Sequence, residues 1–98
     1  MQSFINRVRD IAGAEQDKIS KKDVNRLLQD LMGEIDAIID YNETIEETQN
    51  EDIRKVLADI RNEEQMHVGQ IMNLIFRDSN FKNNFNMGIE ENNNIWGR

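Results

Sequence analysis

The sequence predicts an all-α chain organised around an antiparallel two-helix hairpin with short flanking helices. Three observations carry that expectation. Proline, the strongest helix breaker, is absent from all 98 residues. Two long stretches, over about 24–48 and 51–76, repeat apolar residues at three- and four-residue spacing. Between them "TQNED" supplies a short polar turn, and a connection of that length sends the following helix back along the preceding one.

Each element has its own signal. In "SFINRVRDIAGA", Phe4, Ile5, Val8 and Ile11 fall at helical spacing and the pattern ends near Gly13, so residues 1–19 read as an amphipathic packing arm. Ser20, with Asp23 three residues on, marks a new helix start, and Ile19 can staple onto Val24. Val24, Leu27, Leu28, Leu31, Ile35, Ile38 and Ile45 then form one stripe that runs to about Thr48. Asn50 is the expected N-cap of the next helix, whose stripe is Ile53, Val56, Leu57, Ile60, Ile71, Leu74 and Ile75. Beyond it "RDSN" reads as a turn, "FKNNFNMG" as a short helix ended by Gly88, and "EENNNIWGR" as a polar tail. The chain divides into the arm (1–19), the hairpin (20–77) and the short C-terminal helix with its tail (78–98), with no internal repeat and no linker between domains.

Composition narrows the chemistry. A chain of this length is short on core and gains from a metal or a partner subunit. Without cysteine, disulfides and thiolate metal sites are excluded, and any metal is held by carboxylate, imidazole or carbonyl groups, a set that suits iron or manganese. The net charge is −7, and the stretch from Asp30 to Glu47 holds seven acids and no lysine or arginine. That field repels nucleic acid and anionic membranes and favours a cation as partner. Neither a signal-peptide pattern nor a membrane-length apolar run is present, which makes the cytoplasm the expected location.

The hairpin carries misfits on its apolar side. At about 100° per residue, Glu64 and the only histidine, His67, fall inside the stripe of their helix, with Glu63 at its edge and Gln65 and Met66 turned away. Burying a carboxylate there costs several kcal/mol unless something pairs with it. Spaced i and i+3, the two can simply hydrogen-bond each other. Glu34, between Leu31 and Ile38, is the third misfit. If the chain folds back at Gln49 and Asn50, position 34 comes level with position 65, and three metal-binding side chains meet at one depth. A solvated glutamate at 34 leaves that coincidence unexplained. One glutamate facing a Glu-x-x-His pair is half of a carboxylate-bridged di-metal bundle. A second copy, related by a two-fold axis through the apolar faces, completes four helices and gathers four carboxylates and two imidazoles around two metals.

The stretches "LMGEIDAIIDYNETI", "EDIRKVLADIRNEEQMHVGQIM" and "FRDSNFKNNF" resemble the encapsulated ferritins, over about residues 24–87. The resemblance implies a half-ferritin that becomes a ferritin-like four-helix bundle by dimerisation. It implies a ferroxidase centre between subunits, with Glu34, Glu64 and His67 as iron ligands and two irons per dimer. It also implies homodimers assembled into rings, and a place as iron-oxidising cargo inside an encapsulin nanocompartment. Tyr41 matches a tyrosine near the family's site, and Glu63 and Tyr41 are the candidates for groups around the ligands. Family members often carry acids just before and two residues after the first ligand glutamate, where outer cations gather; Gly33 and Asp36 hold those positions here, and Asp40 stands where a tryptophan often precedes the tyrosine. Asp36 and Asp40 are thus the candidate cation-gathering residues. By the residues alone, Tyr41 reads as a packing residue with a wet hydroxyl. Met66, Met72 and Met87 read as interface fillers, and Trp96 as the mark of a contact. Two functions fit: a ferroxidase for iron storage or detoxification, to which other divalent cations can bind in place of iron, and a non-catalytic, metal-stapled helical module attached to a capsid or scaffold.

Overall fold

The protein was analysed as a computed structural model, which describes residues 18–96. The described residues form three α-helices and no strand: α1, Lys21–Glu47; α2, Glu51–Ile75; and α3, Ser79–Trp96. Most of the amphipathic arm expected over 1–19 lies outside the described residues. The chain splits into two compact units, one comprising Asn25–Leu74 and the other containing, among the described residues, 18–24 and 75–96.

The first unit is the hairpin. α1 starts where the Ser20 hydroxyl accepts the Asp23 N–H (3.0 Å), satisfying a donor that the first helical turn leaves free. At the turn, Asn50 Oδ1 accepts the N–H groups of Asp52 (2.9 Å) and Ile53 (3.1 Å), and Thr48 Oγ1 accepts that of Asn50 (3.1 Å). The C-terminus of α1 has no basic residue in its own last turn. Arg54, from the next helix, takes that part: its Nε donates to the Ile45 carbonyl (3.3 Å), Nη2 to the Thr48 carbonyl (2.7 Å) and Nη1 to Glu51 Oε1 (2.7 Å). A guanidinium there both satisfies orphaned carbonyls and meets the negative end of the helix dipole. Further along, Arg61 Nη1 donates to Asn42 Oδ1 (3.0 Å). The contacts of Arg54 with Ile45 and of Arg61 with Asn42 tie the two helices together in antiparallel order.

No residue from Asn25 to Leu74 is buried. Leu27, Leu31, Ile38, Ile45, Leu57, Ile60 and Ile71 are half-buried between the helices, while Ile35, Ile53 and Val56 of the same stripes are exposed, Val56 by 57%. Two helices make one layer, and one layer cannot cover stripes this wide; a stable fold needs a second layer against them.

In the second unit Val24 and Ile75 are buried, the latter completely. Asp78 caps α3 by accepting the N–H groups of Asn80 and Phe81, both at 3.1 Å. Phe76, Phe81 and Phe85 cluster with ring centroids 5.1 to 6.5 Å apart, tying the first turns of α3 to the residues just after α2. The expected stop at Gly88 does not occur, and the expected polar tail is helix as far as Trp96. Gly88 does not take the left-handed conformation that would end the helix, and no proline follows it. A glycine inside a helix costs about 1 kcal/mol relative to alanine, which weakens α3 without terminating it. Among the described residues no helix is long and apolar enough to cross a membrane.

Candidate metal centre

Glu34 projects from α1 on the half-buried face shared with Leu31 and Ile38, and α2 presents Glu64 and His67 one turn apart at the same level of the hairpin. His67 Nδ1 stands 3.6 Å from Glu34 Oε2 and 3.7 Å from Glu64 Oε2. One donor atom from each of the three residues lies within 4.8 Å of the others, and this is the metal-capable group found among the described residues. The side chains are 25%, 20% and 46% exposed for Glu34, Glu64 and His67.

These separations exceed hydrogen-bonding distance, so the histidine does not close the group by bonding to either carboxylate. They suit a shared cation instead. Two donors each about 2.1 Å from one ion stand about 3.6 Å apart when they subtend about 120° at it. The donor set, two carboxylates and an imidazole without sulfur, is one that iron, manganese and zinc accept. Partial exposure leaves room for further ligands on the open side. Neither of the arginine–carboxylate ion pairs, Arg26 with Asp30 (3.8 Å) and Arg54 with Glu51, reaches the group. Two glutamates thus face each other with a neutral-capable imidazole as their nearest basic neighbour, an arrangement that a cation relieves.

The other residues singled out from the sequence stand apart from this cluster. Glu63 is exposed beside Glu64, and Asp36 and Asp40 are exposed on α1. Tyr41 is half-buried on α1, two turns beyond Glu34. Sequence reasoning passed over Arg54 and the Arg61–Asn42 pair, which tie the two helices together; an arginine placed just inside a helix start, opposite a helix end without basic residues, was the available signal for Arg54.

The family model described as EncFtn-like matches residues 11–89. Searches of curated proteins and of solved structures gave no match.

Proposed function

The chain belongs to the EncFtn-like family, the encapsulated ferritins, and from that premise we propose that it oxidises Fe(II) to Fe(III) with dioxygen at a centre shared by two copies. The carrying observation is the convergence of Glu34, Glu64 and His67 at one level of a hairpin whose apolar stripes are left partly uncovered. One chain offers three ligands and half of a four-helix bundle; a second copy placed against the open stripe supplies both the missing ligands and the missing layer.

In this reading Fe(II) is the substrate, and it supplies the electrons that dioxygen takes up. The chain's residues bind it and bias the reaction. The carboxylates of Glu34 and Glu64 offset the cation's charge, and they do so more strongly for Fe(III) than for Fe(II), which favours the oxidised product. His67 offers Nδ1 on the side of both carboxylate oxygens, and that nitrogen must be unprotonated to bind. Acids on the exposed side of α1, Asp36, Asp40, Glu43 and Glu47, raise the local concentration of cations without holding them tightly. Family membership supports assembly of the dimers into rings and packaging within an encapsulin shell.

The experiment pairs oxygen consumption with Fe(II) oxidation on the purified protein. A ferroxidase takes up dioxygen in fixed proportion to added Fe(II). Tight metal binding with no uptake above the uncatalysed rate would instead identify a metal-stapled assembly module.

A further inference from the structure

Two arginines of the hairpin take a carboxylate one turn away. Arg54 Nη1 bonds Glu51 at 2.7 Å, spaced i and i+3, and Arg26 stands 3.8 Å from Asp30, spaced i and i+4. Arg61 behaves differently. Glu64 follows it by three residues on α2, a spacing that brings Cβ atoms to about 5–6 Å on one helix face, and no other carboxylate stands three or four residues from Arg61 in either direction. Yet Arg61 forms no ion pair with Glu64 or with any other carboxylate among the described residues. Its Nη1 instead crosses to α1 and donates to Asn42 Oδ1 at 3.0 Å. Nη2 reaches Asn62 Oδ1 only at 3.4 Å, longer than an ordinary hydrogen bond, and Nε is buried with no acceptor. Nε and Nη2 form a fork with which a guanidinium can grip a carboxylate. Here that fork is left nearly empty, one turn before a ligand glutamate.

We propose that Asn42 is a positioning residue of the metal centre: it holds the Arg61 guanidinium against α1 and so keeps it off Glu64, whose carboxylate stays free for a cation. This role presupposes that Glu34, Glu64 and His67 bind metal, as proposed above. A guanidinium and a metal ion compete for the same carboxylate oxygens, so Arg61 paired with Glu64 would close the centre from within the chain. What prevents this is a hydrogen bond to a neutral amide, strengthened by the charge of its donor. The cost shows at Nε, a donor left without an acceptor in a buried place. The Arg61–Asn42 bond is not what keeps the helices together, because Arg54 fastens the turn and Leu31, Ile38, Ile60 and Ile71 are half-buried between the helices. Asn42 therefore acts on the centre through Arg61.

The test is a mutant cycle in the full chain read by Co(II), whose visible absorption on binding reports the number and geometry of its ligands without any turnover. Asn42→Ala frees the guanidinium and should weaken Co(II) binding roughly three- to tenfold, the inverse of the fraction of molecules in which Glu64 stays unpaired. Arg61→Met keeps the apolar stem and removes the competitor, so it should bind Co(II) at least as tightly as the parent. Asn42→Ala with Arg61→Met should match Arg61→Met alone. Asn42→Asp, which keeps an acceptor for Nη1, should bind no more weakly than the parent. If the pair served only to brace the helices, Arg61→Met would be as weak as Asn42→Ala and the double variant no better; either result overturns the proposal. So does an Asn42→Ala protein that binds Co(II) like the parent. Glu64→Ala tests the premise by itself: it should lose the Co(II) spectrum, and a Glu64→Ala protein with the parent's spectrum would remove the metal-centre reading and the role of Asn42 with it.

Discussion

The turn and the middle of the hairpin solve opposite problems. At the turn, Asn50, Thr48 and Arg54 satisfy the loose backbone groups of both helices within one chain, and Glu51 answers the charge of Arg54. Midway along, Glu34, Glu64 and His67 gather acidic charge that no lysine or arginine among the described residues pairs with, on helices whose apolar stripes stay partly open. The turn is complete as folded; the centre is complete only with a cation and, in our reading, a second chain. Stability and function are therefore separable, and substitutions at the two places should fail in different ways.

The largest effect is expected at the centre. Glu34→Ala, Glu64→Ala or His67→Ala should each abolish rapid Fe(II) oxidation in a stopped-flow assay, because in the proposed dimer one substitution removes a ligand from both halves of the site. Glu63→Ala, one residue away and exposed, should remain close to the parent rate. The same three variants should keep or raise the melting temperature of metal-free protein, since each removes a group that repels or goes unpaired. A Glu64→Ala protein that oxidised Fe(II) at the parent rate would dissolve the comparison.

Next comes the turn. Arg54→Ala removes two hydrogen bonds to carbonyls and one ion pair from a half-buried position, and should cost about 1.5–3 kcal/mol of unfolding free energy in a denaturant titration. Metal-saturated oxidation per folded molecule should be unchanged. Asn50→Ala should cost about 1 kcal/mol through the lost N-cap. Equal loss of activity and stability in either variant would show that the two regions are coupled.

Much of this division was legible in the sequence. Ser20 and Asn50 announced the helix starts through their side-chain chemistry, and symmetry about the turn brought Glu34 level with Glu64 and His67, because helical rise is uniform enough to count across a hairpin. The C-terminal helix was not legible to its end. Gly88 followed by acids and asparagines reads as a stop, yet a glycine ends a helix only by turning left-handed, and this one does not. Arg54 escaped notice because its partners are backbone carbonyls, which leave no trace in a residue pattern. The exposure of the stripes was likewise out of reach, as periodicity marks a face and says nothing of what covers it.

The smallest effect belongs to the outer acids. Asp36→Asn with Asp40→Asn should slow iron uptake at low ionic strength and little near 0.15 M salt, where the screening length falls to about 8 Å. A rate unchanged even in low salt would leave these residues a role in solubility alone.

The central claim is that metal and second copy complete one site, so metal should drive assembly. Without metal, the facing carboxylates oppose burial of Leu31, Ile38, Ile60 and Ile71 in an interface. A ligand bound only by the assembled state stabilises it by about 2.7 kcal/mol at a hundred times its Kd, which shifts a weak dimer about a hundredfold. Acidification should act like chelation, because protons compete for the same donor atoms. Light scattering on a sizing column, at micromolar protein with and without Fe(II), reads this directly. Metal-free protein and His67→Ala should be smaller or more heterogeneous, and Fe(II) should carry the parent protein alone to dimers and larger assemblies. One identical mass for metal-free, Fe(II)-loaded and His67→Ala protein would contradict the account.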